Sequence, residues 1–123
     1  MNAELLDLMS APYLEGGRSL SEGMDCLGIV LEGLRRQGLD SAAGALILQV
    51  SSGVAGAWHE VAGSEVRPND IALSQRDESD FHISLIVEGD PLRAFSSAEG
   101  HGPYSIPVGA IVGLVGFYRY EES

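Results

Sequence analysis

Lysine is absent from these 123 residues, and seven arginines stand against eighteen acidic side chains, for a formal charge of −11. The only basic pair is Arg35-Arg36. A surface that tracks phosphates needs a basic stripe, so nucleic acid is excluded as a partner. The same charge repels polyanions at long range, and an anionic polymer would have to be held by local contacts. Cysteine is nearly absent too: Cys26 stands alone. That excludes an internal disulfide and a zinc site built from several thiolates. No long hydrophobic run is present either. The longest, residues 106–118, is thirteen residues interrupted by glycine, short of the roughly 20 that a membrane span needs. The opening "MNAELLDLM" is acidic where a secretory signal carries a basic segment, so the expectation is cytoplasmic synthesis without export and no membrane partner.

What remains is enough for one domain, residues 1–123, with a core that needs no metal or cofactor. Residues 3–9 read as a short helix that Pro12 ends. Leu27, Val30, Leu31 and Leu34 recur at helical spacing after Asp25, an N-cap residue type. Arg35 and Arg36 fall in the last turn, and Gly38 sits just past the end. Residues 39–65 show no dominant period, with a second short helix expected near 41–49. From Val66 onward, turn residues punctuate strands: "RPNDIALSQ", then the alternating "FHISLIVEGD" with "PLRAFSS" as its hairpin partner. A short strand in "GHGPYSIPVG" and a closing strand in "AIVGLVGFYRY" follow. Helices first and an antiparallel meander afterward predict an α+β fold.

Cys26 lies in the first turn of the best-defined helix. Unpaired backbone N–H groups and the helix dipole favour a thiolate there, Asp25 disfavours it, and a lone cysteine is otherwise a small buried hydrophobe. A base would come from His59, His82 or His101. His82 opens a strand whose alternation places His82, Ser84 and Ile86 on one face and Ile83, Leu85 and Val87 on the other. It is the expected partner for a helix start packed across the sheet edge.

The stretch "PYLEGGRSLSEGMDCLGIV" resembles the cysteine motif of the NlpC/P60 family of papain-like cysteine peptidases, through Tyr13, Gly16, Gly17, Gly23, Asp25, Cys26 and Gly28. "RPNDIALSQRDESDFHISLIVEGD" is similar to that family's proline-turn strand and histidine strand, and "IVGLVGFYRY" to the closing strand of phage tail-associated members. The resemblance implies a cell-wall hydrolase acting on peptidoglycan stem peptides. Cys26 would be nucleophile and His82 general base, with Tyr13 and Asp25 lining the substrate groove. It implies no metal and no cofactor, and it points to delivery by a phage tail or similar injection machine. Three positions depart from the family pattern: Leu27 follows the cysteine, Ser84 replaces a glycine, and the third polar residue that would orient His82 falls on Ala94 or Phe95. Neither side chain can hydrogen-bond, leaving Ser96 and His101 as the nearest orienting candidates. The alternatives are a catalytically degenerate assembly or binding module, and an amidase or acyltransferase using the same Cys–His pair.

Overall fold

The computed structural model describes residues 3–52, 57–77 and 80–121; of the weakly patterned 39–65 stretch, residues 53–56 lie outside these. Helix α1 (Ala3–Leu6) runs into a 3-10 turn at Asp7–Ser10. A two-stranded hairpin follows, β1 (Arg18–Ser19) with β2 (Gly23–Met24), then α2 (Cys26–Arg36) and α3 (Asp40–Ser52). Six strands come next: β3 (Trp58–Val61), β4 (Ile71–Asp77), β5 (Asp80–Val87), β6 (Arg93–Ala98), β7 (Gly102–Pro107) and β8 (Leu114–Tyr120). They form one antiparallel sheet in the order β3-β8-β4-β5-β6-β7. The expected α+β class and the β4 to β7 meander are both present. The sheet differs from a simple meander because β8 returns between β3 and β4. Strand β3, four residues inside the unpatterned stretch, is held by its register on β8, Trp58 opposite Tyr120.

Two apolar layers lie on the two faces of the sheet. On one, Ile29, Val30, Leu31 and Leu34 of α2 pack with Ile83, Leu85, Val87 and Phe95, and with Ala42, Ala43 and Leu46 of α3. Gly33 is where helix and strand approach most closely, since a Cβ there would lie 2.7 Å from Leu85 Cδ2. The other face buries Ala72, Ile86, Ala94 and Phe117 beneath Ile106 and Ile111. Strand alternation divides β5 between the two layers.

Each layer is pinned by polar contacts. Trp58 Nε1 donates to the carbonyl of Ala42 at 3.1 Å, tying α3 to the sheet edge. Asp70, 2 % exposed, accepts from Arg119 Nε and Nη2, both at 2.8 Å, and from the backbone N–H of Arg67 at 2.9 Å, which closes the turn before β4. Arg36 at the end of α2 pairs with Glu32 and with Asp7, binding the N-terminal turn to the helix. Among the described residues no helix is long and apolar enough to cross a membrane.

The start of α2 is locked by Asp25, the expected N-cap. Its Oδ1 accepts from Gly28 N–H and Arg18 Nη1, each at 2.8 Å, and its Oδ2 from Gly16 N–H at 2.9 Å. One carboxylate thereby joins the loop, the hairpin and the helix. A Cβ on Gly28 would fall 2.3 Å from the carbonyl oxygen of Gly17, so the loop lies directly against the first turn. Asp25→Ala is expected to lower stability in urea titration by about 1–2 kcal/mol. Gly28→Ala should gain about 1 kcal/mol of helix propensity but lose more to backbone overlap, giving a net loss of about 1–2 kcal/mol. Gly44→Ala provides the contrast: it sits in α3 with open space around it, and the same titration should show a gain of about 0.5–1 kcal/mol.

Candidate functional site

Cys26 occupies the first position of α2 and is partly buried beside the main core. Burial pushes its thiol pKa up, and the nearby Asp25 carboxylate adds to the shift; backbone hydrogen bonding at Ile83, Leu27 and Cys26 itself opposes it. The net direction is toward the protonated thiol. The helix start therefore does not prevail over desolvation.

The sulfur meets the sheet at Ile83, one residue beyond His82. Ile83 belongs to the layer beneath α2, and His82 faces the other way with Ser74 and Ser84. His82 Nε2 lies 2.7 Å from the hydroxyl of Tyr104, with the two rings stacked at an interplanar angle of 9°. The contact at Ile83 is made through its backbone, directly after His82, so the helix start and the His82 strand meet at this point.

Phe95 pairs with Leu85 and faces α2, while Ala94 pairs with Ile86 in the opposite layer, so neither stands beside His82. Ser96 is fully buried and donates to the carbonyl of Ile83 at 2.7 Å rather than to the imidazole. His101 is exposed and meets Tyr104 edge-on, with ring centroids 5.9 Å apart. The group behind the His82 ring is Tyr104, which the sequence reading missed. Its strand was expected, but the 22 residues between it and His82 hide a contact made only by the register of β6 on β7, Ser96 opposite Tyr104.

Tyr13 lies close enough to Cys26, Asp25, Glu15 and Glu99 for their charges to act on it. Burial first, and then those carboxylates, push its hydroxyl pKa up. Tyr13 and His101 line an open cleft of about 450 Å³ together with Pro12 and Pro103. Asp25, expected as a substrate-groove residue, has both carboxylate oxygens taken up by the loop and the helix. Among the described residues no cluster of His, Cys, Asp and Glu has the grouping that holds a metal ion.

No sequence-family model and no curated protein matches the chain. Solved structures do. The NlpC/p60 domain of the peptidoglycan hydrolase SagA superposes with a TM-score of 0.65 at 20 % identity, covering 97 % of this chain and 94 % of that domain. A protein similar to lipoprotein, of the NLP/P60 family, from Staphylococcus aureus subsp. aureus Mu50 superposes with a TM-score of 0.64 at 19 % identity. That alignment covers 98 % of this chain, which spans only 40 % of the staphylococcal one. At these identities the likeness is one of architecture: the chain has the fold of NlpC/P60 domains.

Proposed function

We propose that this chain is a cell-wall-directed module of the NlpC/P60 type that, in the arrangement described, binds stem peptides without hydrolysing them. The observation that carries this reading is the partial burial of Cys26 against the core, which holds its thiol toward the protonated form. Thiol hydrolysis needs an imidazole that takes the S–H proton and returns it to the leaving amine. Here the apolar Ile83 lies on the Cys26 side of the strand, and the thiol is shifted toward its unreactive form. The cleft between Tyr13 and His101 is the peptide site in this reading. Glu15 and Glu99 act on Tyr13 at its edge, and they suit a stem peptide bearing a free amine. The likeness to a peptidoglycan hydrolase domain supports the ligand class.

A second reading keeps Cys26 and His82 as a working pair in a peptidase, amidase or acyltransferase. It is favoured by the cysteine at the start of a helix in this fold, and by a hydroxyl held against His82 Nε2. Association with a phage tail or injection machine rests on the closing strand sequence alone, and co-purification with tail components tests it.

Two measurements separate the readings. Iodoacetamide should label Cys26 more slowly than it labels the urea-unfolded chain at pH 8 to 9, where the unfolded thiol begins to ionise and the folded one lags. His82→Ala should leave that rate unchanged. In parallel, a stem tetrapeptide should bind by NMR titration, weaken at least about tenfold in Tyr13→Ala, and emerge intact by mass spectrometry. Turnover that disappears in both Cys26→Ser and His82→Ala would establish the enzyme instead.

A further inference from the structure

Tyr104 comes to His82 from two strands away in the sheet, across β6. A turn with Gly100 and Gly102 in the left-handed region, at φ 81° and 85°, closes β6 onto β7 and sets Tyr104 opposite Ser96. Ser96 in turn donates from Oγ to the carbonyl of Ile83 at 2.7 Å, tying β6 to β5 directly after His82. His101 meets the Tyr104 ring edge-on. The strand that carries the hydroxyl and the strand that carries the imidazole are therefore both fixed. The 2.7 Å contact of Tyr104 Oη with His82 Nε2 then joins two rings whose planes differ by only 9°. A hydrogen bond at one ring nitrogen of a histidine sets which nitrogen carries the hydrogen.

We propose that Tyr104 is the positioning residue for His82, supplying from β7 the orienting group that Ala94 and Phe95 on β6 cannot provide. The proposal deepens the second reading of the function, in which His82 is the general base, and rests on that reading for its chemical consequence. A base accepts a proton at an unprotonated ring nitrogen. With Nε2 at the hydroxyl, that nitrogen is Nδ1, so the neutral ring carries its hydrogen on Nε2 and donates it to the tyrosine oxygen. When Nδ1 takes the proton of the attacking thiol, the imidazolium keeps Nε2–H on the same oxygen, where the bond is charge-assisted and stronger. The sulfur–carbon bond forms, the amide carbon–nitrogen bond breaks, and the proton passes from Nδ1 to the departing amine. Water then releases the acyl group by the same route. Tyr104 gains and loses no proton in this sequence; it holds the ring.

The test is nitrogen NMR of the His82 ring in the full chain. Neutral His82 is expected as a single tautomer with its hydrogen on Nε2, and that proton should exchange slowly with water. Tyr104→Phe keeps the ring and removes only the hydroxyl. It should speed the exchange and let the second tautomer appear, while the amide spectrum of the rest of the sheet is retained. A hydrogen on Nδ1 in the wild-type chain overturns the proposal without any variant. So does an Nε2 proton and tautomer left unchanged by Tyr104→Phe. Where the wild-type chain turns over a stem tetrapeptide, the same variant should lower kcat at least about tenfold with KM little changed, and an undiminished kcat would also overturn it. Absence of turnover in the wild-type chain counts against the second reading, and the tautomer still decides the role of Tyr104.

Discussion

The register of β5 under α2 is the constraint on which the rest of the site depends. Leu85, Val87 and Phe95 are buried against the helix, with Gly33 letting Leu85 approach closely. Because side chains alternate with a period of two, seating these residues on the helix side also settles their neighbours: Ile83 follows them inward, and His82, Ser84 and Ile86 go to the opposite face.

The electrostatics of Cys26 follow from the same packing. A helix start offers a thiolate partial positive charge, worth about 0.3–1 kcal/mol. That benefit competes with desolvation beside the core and with the Asp25 carboxylate at the cap. Asp25 cannot be removed from the balance, since it joins Gly16, Arg18 and Gly28 into one unit and so sets the position of the loop bearing Tyr13. The cap that builds the helix start also disfavours the anion there. A nearby imidazolium would offset this, and His82 Nε2 is held by the Tyr104 hydroxyl.

The two faces of the sheet consequently carry different surfaces. At the helix start, Tyr13 and His101 border a wide cleft with carboxylates acting on its tyrosine. On the far face, His82 and Tyr104 line a narrower cleft with Ser74, Ser84 and aliphatic side chains. His101 lines the first and meets Tyr104 of the second edge-on. Recognition by an acidic protein of this kind depends on short-range contacts within such clefts, because its long-range field is repulsive to polyanions.

Local chemistry was legible in the sequence wherever its cause was local. The α2 helix with its Asp25 cap and its end near Gly38, the β5–β6 hairpin, the α+β class and even the two faces of β5 follow from periodicity and turn residues a few positions apart. Strand β3, the insertion of β8 beside β4, and the Tyr104–His82 contact were not legible, because each depends on pairing between segments far apart in the chain. Alternation by itself showed that His82 and Ile83 lie on opposite faces. Only the tertiary structure decided which face α2 covers, because that depends on which layer buries the larger aliphatic set, and it thereby decided that Cys26 meets Ile83 while His82 meets Tyr104.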